Sequence, residues 1–259
     1  MSELPIAGSY RPTVMGTHAM VSSGHYLATL AGERILTRGG NAVDAGVAAG
    51  LCLCVLQTDL VNLAGVAPIA IYLAEEDRVI TISGLGRWPQ AANIEYFQQH
   101  YDGKIPLGVL RCVTPGGPDA WITALEEYGT LSLADVMQEP IRLAAEGFPM
   151  HPFMAENLKT SANQFAQWES SRAIFMPNGR TPEAGEIFVQ SDLGRTMRRM
   201  LEAEAQAQGG GRKAGLQAAR DAFYKGDIAH EIAAFYGSQG GLLTYDDLAS
   251  FRVKIEEPV

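Results

Sequence analysis

The sequence predicts an α+β fold in which a sheet element near the amino end is followed mainly by helices. Three observations predict it. Residues 69–82 alternate in side-chain character on either side of Glu75-Glu76-Asp77-Arg78, the pattern of a hairpin. Residues 25–56, and much of the chain beyond residue 117, carry apolar side chains at helical spacing. Hydrophobic residues make up 47% of 259, enough for a sizeable core and too many for general disorder.

Taken in order, residues 11–23 read as a strand beside a bend at Gly16, with Thr13, Val14 and Met15 before it and Met20 and Val21 after. From His25 onward, Leu27, Ala31 and Ile35 recur every four residues while Glu33 and Arg34 face outward. That is an amphipathic helix, closed by Gly39-Gly40. Asn41 offers a cap for the next helix, and Asp44 sits three residues on, at its amide-rich end. This helix, residues 42–56, is almost wholly apolar and rich in Ala and Gly, so it is expected to be central. The hairpin strands, 69–74 and 79–82, carry apolar residues on both faces, which predicts a sheet covered on both sides. Gly84-Leu85-Gly86-Arg87-Trp88-Pro89 leaves the second strand as a constrained loop. Val113 to Pro118 turns sharply into a helix over about 119–127. Ser132 with Asp135 starts another, predicted to break at Pro140 and resume over 141–146. Residues 160–187 have weak periodicity and loop clusters at 177–179 and 182–185. Helices follow over 192–207, 216–223 and 227–235, and Thr244 with Asp247 marks a last helix start. Neither an internal repeat nor a linker between domains is visible.

Lys plus Arg number 20 against 29 Asp plus Glu, for a net charge of -9, a field that repels phosphate backbones and argues against a general nucleic-acid binder. Gly is in excess, 28 of 259, and falls in short clusters that suggest tight backbone turns. The amino terminus has no basic start followed by an apolar run, so no cleavable signal peptide is expected. The apolar run 45–56 is too short to span a bilayer. Cys52, Cys54 and Cys112 lack metal-ligand spacing and read as small hydrophobes in a reducing compartment, which makes the cytoplasm the expected location. No cofactor, metal or nucleophile-elbow motif appears, so neither a cofactor nor a metal is expected. His18 and His25, seven apart, could meet across a strand–helix junction or serve as isolated polar contacts. Asp44 reads as a helix-start carboxylate or a catalytic one. Arg87 reads as an exposed side chain or a bidentate clamp on a carboxylate.

Six collinear stretches resemble the gamma-glutamyltransferase family of N-terminal-nucleophile hydrolases. Gly39-Gly40-Asn41-Ala42-Val43-Asp44-Ala45 resembles the family's GGNAVDAA helix junction. Met20 to Ala28 resembles MVAS-x-HPLA, with Tyr26 where proline is usual, and Val113 to Gly117 is similar to the VPG turn. Tyr128-Gly129 with Pro140 to Phe148, Phe223 to Gly226, and Gly240 to Leu248 resemble YG…PAIxLAxxGF, FYxG and GGLxTxxDL. The resemblance spans roughly residues 14–257 and implies a four-layer αββα sandwich cut from a precursor. It implies that residues 1–259 form the large-subunit portion, completed by a small chain whose amino-terminal Thr is the nucleophile, with no catalytic residue on this chain. Family large chains continue beyond GGLxTxxDL, so this chain is expected to be inactive alone. Whether the complex is one heterodimer or a dimer of heterodimers stays open.

Two departures bear on the substrate. Gamma-glutamyl enzymes carry Arg-Glu in the loop after the second hairpin strand, and the arginine holds the glutamyl carboxylate. Aligning on Pro89 places Leu85 at the arginine and Gly86 at the glutamate, closer to the GxGRAP form of non-glutamyl relatives. The glycine-rich segment before the hairpin is also altered, to Asn62-Leu63-Ala64-Gly65-Val66-Ala67-Pro68. Loss of a buried carboxylate clamp costs several kcal/mol in recognition. The resemblance therefore points to acylases and small-amide hydrolases such as oxamate amidohydrolase. Arg87, Trp88 and Leu85 are the expected substrate-binding residues, with Asn41, Asp44 and Asn62 as structural residues near the site. The alternatives are a true gamma-glutamyltransferase or glutathione hydrolase whose clamp has moved to Arg87, and a catalytically silent subunit whose companion lacks an amino-terminal Thr, Ser or Cys.

Overall fold

The computed structural model describes residues 13–258. Helices α1 (Tyr26–Thr37) and α2 (Ala42–Leu56) come first, followed by the hairpin β1 (Ile69–Leu73) and β2 (Arg78–Ile82). Next come α3 (Ile94–Tyr101), α4 (Gly117–Tyr128) and α5 (Leu133–Glu146), then β3 (Phe148–Pro149) and α6 (Pro152–Thr160). After α7 (Ala162–Phe165), α8 (Glu169–Phe175) and β4 (Ile187–Phe188), the chain is helical through α9 (Ser191–Gln206), α10 (Arg212–Tyr224), α11 (Asp227–Ser238) and α12 (Tyr245–Ala249), and closes on β5 (Ile255–Glu256).

Helix α2 is the centre of the core, as its composition predicts. It packs against α1, α4 and α5, and α5 in turn packs on α9. Leu51, Cys52, Val55 and Leu56 of α2 are all 0% exposed. Its start is fixed by a reciprocal cap: Asn41 Oδ1 accepts from the Val43 and Asp44 amides at 2.9 and 3.0 Å, and Asp44 Oδ2 accepts from the Asn41 amide at 2.9 Å. Asp44 also reaches across the core. The Thr130 amide (2.9 Å), the Thr130 hydroxyl (2.7 Å) and the Leu131 amide (3.2 Å) all donate to it, while Asn41 Nδ2 donates to the Tyr128 carbonyl at 2.7 Å. This carboxylate is fully buried, and its charge is satisfied by hydrogen-bond donors and by the α2 amino terminus. Asp44→Ala leaves those donors unpaired and is expected to destabilise the chain by about 2–4 kcal/mol in urea unfolding. A loss below about 1 kcal/mol would show that water replaces the carboxylate at no cost.

β1 and β2 pair antiparallel, Ile69 opposite Ile82 and Leu73 opposite Arg78, and β5 adds to the other edge of β2 with Ile82 opposite Ile255. Ile80 and Ile82 are buried on the side of α2 and α4, while Tyr72 and Val79 of the opposite face are 60% and 40% exposed. Among the described residues the sheet is thus covered on one face rather than two, with α4 packed against β2. Residues 13–23 form no strand, and their expected start at residue 11 lies outside the described residues. Residues 13–20 lie exposed, and no strand pairs with them among the described residues. Helix α5 runs straight through Pro140, which is buried. Packing on α2 and α9 outweighs the one backbone bond that proline removes. Helix α4 begins two residues earlier than expected, and α3 and α6 add helices that the periodicity did not show. No helix is long and apolar enough to cross a membrane among the described residues.

Candidate functional site

Three backbone segments cross at the amino end of α4. The Ala67 amide donates to the Gly84 carbonyl at 2.9 Å, the Thr114 amide to the Arg87 carbonyl at 2.8 Å, and the Gly116 and Gly117 amides to the Gly65 carbonyl at 3.0 and 2.9 Å. Segments 62–67, 84–87 and 114–117 are thereby laced together. The crossing requires glycine: a Cβ on Gly84 would lie 2.0 Å from the Ala67 oxygen, one on Gly86 2.2 Å from the Thr114 oxygen, and one on Gly116 2.5 Å from the Gly84 oxygen. Gly84 and Gly86 also hold φ of +50° and +76°, where side chains are disfavoured. The first amides of α4 are spent on protein groups, since Gly116 and Gly117 bind Gly65 and the Asp119 amide binds the Tyr224 hydroxyl at 3.2 Å. This helix end therefore anchors backbone.

Beneath the crossing lies a buried polar cluster. Arg220 of α10 and Asp119 of α4 are both 0% exposed. The Arg220 guanidinium donates to Asp119 Oδ1 and to the Phe251 carbonyl, and it sits 4.7 Å from the Tyr224 ring centroid. Asp119 Oδ2 accepts the Val253 amide at 2.7 Å, and the Tyr224 hydroxyl donates to the Pro115 carbonyl at 2.7 Å. Burial, followed by the Asp119 charge, raises the Tyr224 pKa, so the phenol stays protonated as a donor. The cluster ties α4, α10, the 114–117 turn and the segment leading to β5 into one unit.

The loop after β2 presents its larger side chains outward. Leu85 is 57% exposed and Trp88 45%. The Arg87 guanidinium lies 5.4 Å from the Phe251 ring centroid and donates to the Ser250 carbonyl at 3.3 Å. The far end of the loop is held by Asp247, whose Oδ1 accepts the Gln90 amide at 3.0 Å. Burial opposes ionisation of Asp247, but the Gln90 amide, the Thr244 hydroxyl and amide and the Arg87 charge outweigh it and hold its pKa below the ordinary value. Trp88 meets Phe97 edge-on at 6.4 Å, and the two line a groove of about 310 Å³ with Ile94 and Ile105.

The expected site residues separate into two places. Leu85, Arg87 and Trp88 share one loop, and Asn62, whose carbonyl accepts the Gly65 amide at 3.1 Å, begins the adjoining segment. Asn41 and Asp44 stand at the other end of α2, a 15-residue helix about 22 Å long. His25 does not pair with His18, which is exposed. Its Nδ1 accepts the Leu27 amide at 3.2 Å and its ring faces His151 at 5.7 Å. Burial, then the His151 charge, lowers its pKa. No cluster of His, Cys, Asp and Glu that could hold a metal occurs among the described residues. The sequence reading missed Arg220. Its signal was an arginine on the stripe Leu216, Ala219, Phe223 that buries α10.

Comparison with known proteins agrees with this architecture. The gamma-glutamyltranspeptidase family pattern matches residues 28–259. The chain is 35% identical over 251 residues to the glutathione hydrolase-like YwrD proenzyme of Bacillus subtilis (strain 168), covering 95% of this chain and 44% of that protein. It is 30% identical over 254 residues to the acylase ACY 1 proenzyme of Pseudomonas sp. (strain SE83), covering 94% and 43%. Its fold superposes on Helicobacter pylori gamma-glutamyltranspeptidase with a TM-score of 0.84 at 28% identity, covering 96% of this chain and 68% of that one. The chain thus spans less than half the length of the curated relatives it matches. With the pattern running through α2, the interlaced glycine loops and the Tyr224 support, the chain belongs to the gamma-glutamyltranspeptidase family.

Proposed function

We propose that this chain is the large-chain portion of an amide hydrolase that cleaves a non-glutamyl amide. A second chain completes it and carries an amino-terminal Thr. The observation that carries this reading is Leu85, an exposed apolar side chain at the position where the family resemblance places the carboxylate-binding arginine. In the completed enzyme the threonine hydroxyl adds to the amide carbonyl carbon while its own amine takes the proton, then delivers it to the departing amine nitrogen. Water releases the acyl group by the same proton path. This chain supplies a rigid rim: the glycine crossing fixes the loop, and Leu85, Arg87 and Trp88 face the acyl group. Three unpaired cysteines, two of them buried, suit a reducing compartment such as the cytoplasm.

The second reading is a gamma-glutamyl hydrolase with its carboxylate site moved to Arg87. It draws on the name of the Bacillus relative and on the exposed Arg87 guanidinium. Assay of the completed enzyme on anilides with and without the glutamyl α-carboxylate separates the two. The non-glutamyl reading expects the substrate lacking the carboxylate to have the higher kcat/KM. It also expects Leu85→Arg to raise kcat/KM for the gamma-glutamyl anilide about 10- to 100-fold, the worth of one charge-assisted clamp. A wild-type preference for the gamma-glutamyl anilide that Arg87→Ala abolishes would overturn it.

A further inference from the structure

We infer that the groove beside Trp88 is the subsite for the acyl group of the substrate, and that it takes an uncharged, apolar acyl group of about the size of one aromatic ring. The inference rests on the reading of this chain as part of an amide hydrolase, and it adds which acyl groups that enzyme selects. The groove holds about 310 Å³ and is lined by Trp88, Ile94, Phe97 and Ile105, with Asn93 and Gln98 as its polar residues. No charged residue lines it. Its volume stands at the lower end of the about 300–1,000 Å³ usual for small-molecule sites, room for one group of a substrate rather than a whole ligand. Trp88 and Phe97 meet at 76°, so the lining offers a ring face and a ring edge to a third ring.

The groove is built before any ligand arrives. Trp88 stands between two fixed points, Arg87 on Phe251 and the Gln90 amide on Asp247. Phe97 is buried on α3, whose start is set by Asn93 Oδ1 accepting the Tyr96 amide at 2.8 Å. The Gly103 amide donates to the Phe97 carbonyl at 2.9 Å and turns the chain back, which brings Ile105 into the lining, and Arg111 Nη2 donates to the Ile105 carbonyl at 2.9 Å. Around this concavity Trp88, Ile94 and Ile105 are all exposed, a clustering of large apolar side chains that marks a binding surface. The occupant is indicated by continuity, since Trp88 lies on the loop that carries Leu85 and that the glycine crossing fixes. An acyl group ending in a carboxylate finds no cation in the lining to replace its hydration, because Arg87 is engaged on Phe251 and Ser250.

The test uses the enzyme completed by its second chain and the p-nitroanilides of acetate, hexanoate, 4-phenylbutyrate and glutarate. From acetyl to hexanoyl or 4-phenylbutyryl, kcat/KM is expected to rise about 10- to 100-fold. Hexanoyl is also expected to exceed glutaryl, which is of similar length but ends in a carboxylate. Ile94 is 72% exposed at the start of α3, where an acid favours the helix, so Ile94→Asp should leave Tm unchanged or raised. It should nevertheless cut the hexanoyl-to-acetyl ratio of kcat/KM about 10-fold, while Ile94→Leu should keep that ratio. A flat acyl series, a preference for glutaryl, or a ratio that Ile94→Asp leaves unmoved would overturn the subsite while leaving the amide-hydrolase reading intact. Turnover of a gamma-glutamyl anilide alone, or of no anilide at all, would overturn both.

Discussion

Asp119→Ala is expected to lower the folding stability of the chain by about 3–5 kcal/mol, read as a fall in the urea midpoint. The substitution removes the buried counter-charge of Arg220, leaving the guanidinium only the half-exposed Asp221 at 3.3 Å, and it strips the Val253 amide of its acceptor. Arg220→Met is expected to do comparable damage from the other side, leaving the Asp119 carboxylate to the Val253 amide and the more distant Arg252 at 3.6 Å and stripping the Phe251 carbonyl of its donor. Against a usual total of about 5–15 kcal/mol, either loss is a large fraction. The double variant should cost clearly less than the sum, because removing both charges removes the unpaired charge that makes each single variant so costly. It should still fall short of wild type, since the Val253 and Phe251 backbone groups remain unpaired. Additive single effects, or a single loss under about 1 kcal/mol, would refute the view that this pair organises the support of the site. Because Arg87 rests on Phe251, whose carbonyl Arg220 holds, the same variants should also disturb the loop carrying Leu85 and Trp88.

What could be read from the chain beforehand was what local chemistry determines. Helix α1 was legible from its periodic face and the glycine pair that closes it, and α2 from the Asn41 cap and the apolar run that follows at once. The hairpin was legible for the same reason, its turn and alternation being contiguous. Residues 13–23 misled because β propensity describes a side chain suited to a half-buried pleated surface, and such a surface exists only where another strand lies alongside. Pro140 misled in the opposite sense: the local rule against proline in helices is real, but α5 is clamped between α2 and α9. The covered and open faces of the sheet were not readable, since apolar residues on both faces do not reveal which chain does the covering.

The site divides along the same line. The clusters around Gly84 and Gly116 announced sharp turns, and Asn41 with Asp44 announced a helix start three residues long. That Asp44 also binds Thr130, and that Gly65, Gly84 and Gly116 interlace, depends on segments brought together only by folding. Arg220 was the accessible miss. An arginine on the apolar stripe of an amphipathic helix must find a buried acceptor, and the sequence offered Asp119 at the start of another helix without saying that the two helices touch.

Gly84→Ala probes that crossing. In wild type the buried Gly84 sits at φ +50°, and an added methyl would lie 2.0 Å from the Ala67 oxygen, 2.6 Å from its carbon and 3.0 Å from Ala120 Cβ. The left-handed backbone alone costs an alanine about 1–2 kcal/mol. The contact with backbone cannot be relieved by a rotamer change, so segments 65–67 and 84–87 must part, adding about 1–3 kcal/mol of overpacking. A total loss of about 2–5 kcal/mol is expected. Gly179→Ala separates the two terms, because Gly179 holds φ +75° with nothing within 4 Å of its Cβ position. That control should show only the conformational cost, about 1–2 kcal/mol. On the proposed reading of a two-chain amide hydrolase, Gly84→Ala should also reduce kcat/KM even where the chain remains folded, since Leu85 is the next residue and moves with the displaced backbone, whereas Gly179→Ala should leave turnover unchanged. Equal stability losses at the two glycines would mean that the interlaced backbone yields freely, and that the loop is not held by the crossing but by Asp247 and Phe251 alone.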